Sequence, residues 1–442
     1  MAQKKQKGRM QDACHGEISG PDFLSLYIHV PFCQKKCPYC DFFSVTDLSR
    51  VKAYVAGICK EIQLWSDMGG AWSRMPVHTI YFGGGTPSLL SADQMHQILD
   101  KVQGCFCLVP EPEITCEVNP GTVDALYLAD LRQMGFNRIS IGVQSFDPRK
   151  LSFLSRIHTR RQVFDTLEGA GLAGFSNLGL DLMYGLPGET RAAWQTDLDT
   201  VLGFSPAHLS CYMLTIEPGT PFFDRCETGL FLPCDRDRRM EFFVQTSEVL
   251  ENCGYIHYEV SNFALGQKNR SIHNTHYWHR GAYIGMGPSA HSFLPASTAD
   301  TSGKQPVSAT DTFFFEPSAL ESRGSVRCWN SANLPAWLER AETGKLPRVG
   351  HERLTPAQEV LEQVMLGLRT EQGIQIHNLD RDIHAFLARL EHLGMGMLSG
   401  FAGTDDSFGR FKLTRTGMTC LDSIVETIAR KIFDKMDFYD KF

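Results

Sequence analysis

Three cysteines, Cys33, Cys37 and Cys40, lie close together in the segment YIHVPFCQKKCPYCDFF, with the spacing C-x3-C-x2-C. Thiolates at this spacing can hold three irons of one [4Fe–4S] cluster and leave the fourth iron without a protein ligand. An iron with such an open position can bind and reduce a small molecule. Two alternatives are three unrelated buried thiols and a zinc site, which would need a fourth Cys or His at usable spacing. The strand-like segment YIHV before the loop, together with the motifs described below, favours the iron–sulfur loop.

The elements that must position this loop follow a β-then-α alternation that begins near Leu24. Ser91 is a predicted N-cap for one of the helices. The chain contains six predicted β/α units, and right-handed crossovers should connect their parallel strands. Six units predict an α/β fold, an open, partial (β/α)6 barrel of the TIM type. The predicted strands are 25–30, 78–82, 113–118, 137–143, 177–185 and 208–216, and the predicted helices are 51–65, 91–102, 122–134, 158–173 and 190–203.

Unusual residues fall at the carboxyl ends of the predicted strands. The cysteine loop follows the first strand, and the run GGGTP, residues 83–87, follows the second. Alone, a glycine run indicates a turn, and a phosphate loop is disfavoured because no GK[ST] follows. In a parallel barrel these strand ends share one rim, where chemistry is built. The polar residues expected at this rim are Glu117, Gln144 and Asp181, each an ordinary surface or structural residue if taken singly.

The segments CEVNP, GVQSF, LSRIHT and DLMYGLPGE, in this order, resemble one branch of the radical S-adenosylmethionine (SAM) superfamily, whose signature is the same cysteine spacing. The branch contains the oxygen-independent coproporphyrinogen III dehydrogenases (HemN) and the HemW group of heme chaperones. The resemblance runs from about Leu24 to the C-terminus, except for 294–325. It implies a [4Fe–4S] cluster on the three cysteines and SAM bound across the rim. The SAM-binding residues that it implies are Tyr27, Gly84, Gly85, Thr86, Glu117, Gln144, Arg156 and Asp181.

Three features favour the HemW group within this branch. The coproporphyrinogen enzymes carry a fourth cysteine two residues after the third, where this chain has Phe42, and a long N-terminal extension, whereas only 32 residues precede Cys33 here. The HemW group shows the motif HNxxYW, and the chain has His273, Asn274, Tyr277 and Trp278. The resemblance implies a heme chaperone that binds heme and passes it to apo-hemoproteins, respiratory ones among them. The alternative is oxidative decarboxylation of coproporphyrinogen III by a 5′-deoxyadenosyl radical, and a radical SAM enzyme with another substrate stays open.

His273 is the heme ligand that the resemblance suggests. Imidazole is the common axial donor to heme iron, and flat aromatic side chains can pack against a porphyrin. The alternative is a histidine packed into the barrel mouth. His276, His279 and His291 are nearby competitors for the iron.

Composition bounds the remaining possibilities. The chain has 442 residues, 43% of them hydrophobic and 21% charged, which is typical of a globular protein. Its start lacks an apolar region, so no signal peptide is expected, and no apolar run approaches the ~18 residues of a membrane span. Contact with a membrane surface is left open. With 14 cysteines and no export signal, reduced thiols and a cytoplasmic location are expected.

The domain organisation follows from these patterns. Residues 1–22 are expected to form a disordered leader and residues 23–260 the partial barrel. Residues 261–350 contain the HNxxYW motif and a loop insertion at 294–325, which is rich in Ser, Thr, Ala and Pro.

The tail, 351–442, predicts a smaller α+β domain of winged-helix-like type. A helix capped by Thr355, a second helix at 379–393 and a hairpin near 408–417 follow in that order. A winged helix often binds DNA, but a net charge of −7 argues against nucleic acid as a partner.

Overall fold

The computed structural model describes residues 23–296, 324–377, 379–400 and 409–439. The predicted leader and most of the predicted insertion, 297–323, lie outside these ranges. The strands are β1 Leu24–Val30, β2 Val77–Gly84, β3 Leu108–Val118, β4 Arg138–Gln144, β5 Asn177–Tyr184, β6 His208–Met213, β7 Ile256–Glu259, β8 Asn262–Ala264, β9 Ala282–Met286, β10 His291–Leu294, β11 Val326–Asn330, β12 Arg348–Arg353, β13 Ile374–Gln375, β14 Gly396–Ser399 and β15 Arg410–Leu413.

Helices connect these strands. They are α1 Val51–Met68, α2 Ala92–Cys105, α3 Ala125–Met134, α4 Pro148–Phe153, α5 Arg160–Leu172, α6 Arg191–Leu202, α7 Pro221–Glu227, α8 Arg236–Asn252, α9 Ile272–Trp278, α10 Leu334–Glu342, α11 Pro356–Gly367, α12 Arg381–His392, α13 Arg415–Met418 and α14 Leu421–Tyr439. The predicted N-cap Ser91 forms a capping box with Gln94, and Thr355 forms one with Gln358. These boxes satisfy backbone N–H groups that a helix start leaves free.

Strands β1 to β6 lie side by side in chain order, and every neighbouring pair is parallel. The predicted α/β fold with six parallel strands is confirmed. Two strand boundaries differ from the prediction by three residues or more, since β3 begins at Leu108 rather than 113 and β6 ends at Met213 rather than 216. The start of β3 is hard to place because residues 108–112 lack the apolar pattern of a buried strand.

The parallel strands alternate between two environments. In β4, Ile139, Ile141 and Val143 are fully buried in the main hydrophobic core. The residues between them, Arg138, Ser140, Gly142 and Gln144, line a cavity inside the barrel. Successive side chains of a strand point to opposite faces, so apolar residues pack beneath the helices while polar residues and glycine face the interior.

The sheet continues on both sides of the six parallel strands. Antiparallel β8 and β7 follow β6 at one edge, and β9, parallel to β1, leads to the antiparallel β10, β11 and β12 at the other. The barrel is therefore open. The boundary predicted at residue 260 lies between β7 and β8 of this sheet.

The C-terminal elements from α11 to α14 form a second core around Leu368, Leu387 and Phe411. Strands β13, β15 and β14 make a separate antiparallel sheet. Val260 N–H donates to the carbonyl of Arg369 at 2.8 Å, so this part contacts the edge of the large sheet. No described helix combines the length and apolarity needed to span a bilayer.

Candidate functional site

The cysteine loop connects β1 to α1. Phe32 and Val45 form a parallel bridge, and Cys33 N–H donates to the Val45 carbonyl at 3.0 Å, so the loop closes on itself at its base. Cys33, Cys37 and Cys40 are free, partly exposed thiols. Burial raises the pKa of the Cys40 thiol.

The glycine run packs against the base of this loop. Gly85 N–H donates to the Val30 carbonyl at 2.8 Å, and a Cβ on Gly85 would lie 2.6 Å from the Phe32 carbonyl oxygen. Gly84 has a φ of 108°, where its missing Cβ would strike the ring of His29 at 2.5 Å. The Thr86 hydroxyl lies 3.7 Å from Sγ of Cys33. Glycine is therefore required at both positions.

Glu117, near the end of β3, faces the glycine run, residues 83–87, which spans the end of β2 and the turn after it and is called the glycine turn below. Its Oε1 accepts a hydrogen bond of 2.8 Å from the Tyr81 hydroxyl, and its Oε2 accepts one of 3.2 Å from Gly84 N–H. Burial, together with the charge of Asp181, raises the pKa of Glu117 to about 7. The carboxylate is thus held in place and can gain a cationic partner.

Arg156 connects the cysteine loop to β3 and β4. Its Nη1 lies 3.8 Å from Sγ of Cys37, and its Nη2 donates to the Gly142 carbonyl at 2.9 Å and to Oδ1 of Asn119. Its buried Nε has no partner among the described residues. An unpartnered N–H at the edge of a cavity is a group that a ligand can satisfy.

Gln144 ends β4 in the left-handed region, with a φ of 64°. Such a conformation is uncommon for a residue other than glycine and is frequent at functional sites. Asp197 on α6 fixes the next two residues, because it accepts hydrogen bonds from the Ser145 hydroxyl at 2.7 Å and from Phe146 N–H at 2.8 Å.

Asp197 belongs to a buried ionic cluster. Lys150 donates to Asp197 at 2.9 Å and also pairs with Glu189, whose other oxygen accepts Leu186 N–H at 3.0 Å. The cluster therefore ties the loop that follows Gln144, after β4, to the loop after β5.

Asp181, on β5, lies deeper in the barrel. It accepts a hydrogen bond of 3.1 Å from the Ser140 hydroxyl, and burial raises its pKa. A cavity of about 520 Å³ joins it to Glu117, Gln144, Arg156 and the glycine turn. Ligand sites of this size are typical for cofactors, so the structure brings these predicted site residues together around one space.

Tyr27 contacts the site indirectly. It is not among the residues that line this cavity; its ring lies 6.1 Å from that of Tyr81. Its hydroxyl donates at 3.1 Å to Nδ1 of His29, whose Nε2 donates at 2.9 Å to the Phe43 carbonyl in the cysteine loop. Burial lowers the pKa of His29 to about 4, so this histidine is neutral and has one proton to donate.

His273 is buried, with 1% of its surface exposed. Its Nδ1 lies 2.6 Å from the Thr79 hydroxyl and its Nε2 lies 2.8 Å from the Tyr277 hydroxyl. Burial lowers its pKa to about 3. Of the HNxxYW motif, Asn274 lines the barrel cavity while His273 does not. Both ring nitrogens of the predicted heme ligand are therefore engaged in this structure.

The residues present suit an iron–sulfur cluster and SAM. A single-ion site formed by three or more acidic, imidazole or thiol groups is absent from the described residues. A [4Fe–4S] cube does not need one, since each thiolate binds a different iron. Two partly buried carboxylates and the free Arg156 Nε suit a ligand such as SAM that carries both an ammonium and a carboxylate.

Several residues of the site were not predicted. Asn119 and Asp197 orient Arg156 and the Gln144 loop, and Arg138 and His208 line the deepest part of the cavity. A signal for the last two exists in the sequence, because Arg138 and His208 open strands in which polar and apolar residues alternate. Asn119 and Asp197 lie outside strands, so no such periodicity marks them.

Known proteins resemble this chain in sequence and fold. The model of the Radical SAM superfamily matches residues 27–201. The chain is 34% identical over 392 residues to the heme chaperone HemW of Synechocystis sp., covering 86% of this chain and 87% of that protein. It is 30% identical over 412 residues to HemW of Mycobacterium tuberculosis, covering 92% and 94%.

A solved structure extends this comparison to the fold. Coproporphyrinogen III oxidase (HemN) from Escherichia coli, a radical SAM enzyme, superposes with a TM-score of 0.70 at 21% identity, covering 96% of this chain and 93% of that one. At this identity the match concerns the fold, whereas the sequence relatives decide the family. The radical SAM domain implies a [4Fe–4S] cluster and SAM. The chain belongs to the HemW family of radical SAM proteins.

Proposed function

We propose that this protein binds heme and transfers it to apo-hemoproteins, while it carries a [4Fe–4S] cluster and SAM. The observation that carries the proposal is the similarity to a protein named heme chaperone HemW across 86% of the chain. Respiratory hemoproteins are one class of recipient. We place the activity in the cytoplasm, because cluster thiolates need a reducing compartment.

The proposed roles of the rim residues follow from their contacts. Cys33, Cys37 and Cys40 would hold the cluster, and Arg156 would fix the loop near Cys37. When bound, the cluster and SAM supply one-electron chemistry. Glu117, held by Tyr81 and Gly84, would receive the ammonium of SAM.

The proposed heme ligand, His273, lies on helix α9. For His273 to bind iron, its Nε2 must first leave the Tyr277 hydroxyl. His279, at the end of the same helix, is exposed, and no hydrogen bond of its ring occurs within the described ranges. His276 is partly buried and its Nε2 lies 2.9 Å from the Ala282 carbonyl. We keep His273 as the proposed ligand and take His279 as its competitor.

The second candidate function is decarboxylation of coproporphyrinogen III. It is suggested by the common fold, but the chain has Phe42 where the fourth cysteine of those enzymes would stand. Phe42 is 66% exposed and lines the barrel cavity, so the difference lies in the site itself.

One experiment separates the two functions. Anaerobically reconstituted protein is titrated with heme by absorbance, then mixed with apomyoglobin as a heme acceptor. A parallel sample receives coproporphyrinogen III, SAM and a reductant. Saturable heme binding with transfer, and no protoporphyrinogen IX, is the expected result. Multiple-turnover decarboxylation would replace the chaperone proposal by the enzyme.

A further inference from the structure

The floor of the barrel cavity contains a buried arginine without an acidic partner. Arg138, at the start of β4, is 2% exposed and lines the cavity. Its Nη1 donates to Oδ1 of Asn177 at 2.8 Å and to the carbonyl of Asn269 at 3.3 Å. The positive charge of Arg138 favours the ionised form of Asp181, yet no described carboxylate forms an ion pair with Arg138. Buried charges are normally paired.

The second group at this floor is His208, which begins β6 and is 1% exposed. Its Nε2 lies 2.8 Å from the hydroxyl of Tyr258, and that hydroxyl accepts Ser271 N–H at 3.3 Å. The Tyr258 hydroxyl can therefore donate its hydrogen bond to Nε2 of His208. Burial holds the pKa of His208 well below its usual value, so the neutral ring carries its proton on Nδ1. This Nδ1 has no partner among the described residues.

Gly179 lies beside both of these groups. It lies on β5, between β4 and β6, and a Cβ built on it would lie 3.4 Å from Nδ1 of His208, 3.4 Å from Oγ of Ser140 and 3.5 Å from Nη2 of Arg138. Three polar atoms from two strands thus converge where a side chain is missing. The Ser140 hydroxyl already donates to Asp181, so the donors available to a ligand are those of Arg138 and His208.

We propose that Arg138, His208 and Gly179 form a subsite for a carboxylate group of a bound ligand. A guanidinium and a neutral N–H that converge on one point favour an anionic oxygen, and Arg138 and His208 line the same cavity as the SAM-binding residues. The proposal rests on the proposed function for its ligand, since the propionates of heme are carboxylates of this kind. The carboxylate of SAM is the other source.

The test fills the subsite without disturbing the backbone. In Gly179→Ala the new methyl group makes ordinary van der Waals contacts, so the fold should persist. Gly171→Ala is the matched control, because Gly171 is exposed and nothing lies within 4 Å of its Cβ position. Arg138→Lys, which keeps the charge and loses the planar fork, is the second variant. Each protein is titrated anaerobically with heme, heme dimethyl ester and SAM.

We expect Gly179→Ala and Arg138→Lys to bind heme roughly tenfold to hundredfold more weakly, as for loss of a charge-assisted hydrogen bond. Binding of the dimethyl ester should be weak in every variant and insensitive to both substitutions. A loss confined to SAM would assign the subsite to the carboxylate of SAM. Unchanged affinities for heme and SAM would overturn the subsite. If the wild-type protein binds no heme, the proposed function fails, while the SAM titrations still decide the subsite.

Discussion

The hydroxyl of Tyr81 donates a hydrogen bond of 2.8 Å to Oε1 of Glu117. Both residues face the barrel interior from neighbouring strands, one beside the glycine turn and one opposite it. Because the hydrogen bond fixes one carboxylate oxygen, the other is directed at Gly84 N–H. The partly buried carboxylate is thereby oriented for a ligand before that ligand binds.

SAM binding should depend on pH through Glu117. Burial raises the pKa of this carboxyl to about 7, so it is protonated below that pH and becomes an anion above it. A cationic ligand prefers the anion, and SAM affinity should therefore rise between pH 6 and 7.5, measured by equilibrium dialysis. Glu117→Gln should bind weakly and show a flat profile, whereas exposed Glu111→Gln should retain the rise. The same slope in Glu117→Gln would assign it to another group.

Asp181→Ala should weaken SAM binding roughly tenfold to hundredfold, because it removes a charge-assisted hydrogen bond of about 1.5–3 kcal/mol. Asp181 is one of the partly buried carboxylates that line the cavity. Equilibrium binding to the reconstituted protein is the measurement, with exposed Asp165→Ala as the control. Normal affinity in Asp181→Ala would place the SAM site elsewhere.

Replacing Cys33, Cys37 and Cys40 together by Ala should abolish the cluster and leave the fold largely intact, since these thiols lie on a rim loop and are only partly buried. Iron and sulfide are counted after anaerobic reconstitution, and circular dichroism monitors the fold. Cys253→Ala, an exposed cysteine outside the loop, should retain the full cluster. A triple variant with four irons and four sulfides would contradict the assignment.

Asp197→Ala should lower the free energy of unfolding by about 3–5 kcal/mol, as is typical when one partner of a buried ion pair is removed. It should also weaken SAM binding, because Asp197 holds Ser145 and Phe146, which follow Gln144. Asp165→Ala removes the partner of an exposed ion pair with Arg161 and should change stability by less than about 1 kcal/mol. Urea denaturation measures both. Equal changes in the free energy of unfolding of the two variants would contradict a structural role for the ionic cluster around Asp197.

Substitution of His273, on α9, and of His279, directly after α9, should have different effects on stability and heme binding. His273→Ala should reduce stability, because it leaves the buried Thr79 hydroxyl and the Tyr277 hydroxyl without their imidazole partner. It should also weaken heme binding or shift the Soret band if His273 is the ligand. His279→Ala should leave stability unchanged, since the side chain is exposed. A Soret shift in His279→Ala alone would move the iron ligand to that residue.

The sequence predicts the parallel strands and the rim well, because both depend on local patterns. Buried strands such as β4 carry an apolar residue at every second position, and the cysteine loop and glycine turn have fixed spacing. The orientation of His273 could not be predicted, since it depends on Thr79, which lies 194 positions away in the chain. The Arg138 and His208 subsite likewise depends on the register of β4, β5 and β6, which pattern alone does not fix.

The polar interior of the barrel has a consequence for the lifetime of the protein. In a filled barrel, branched apolar side chains pack the centre, whereas here glycines and ionisable groups surround an open space. Ligands that enter this space replace the missing core and stabilise only the folded chain, by an amount that grows with their concentration. Abundance in the cell should therefore follow the supply of cluster and ligand, since unliganded copies unfold more often and are removed by proteases.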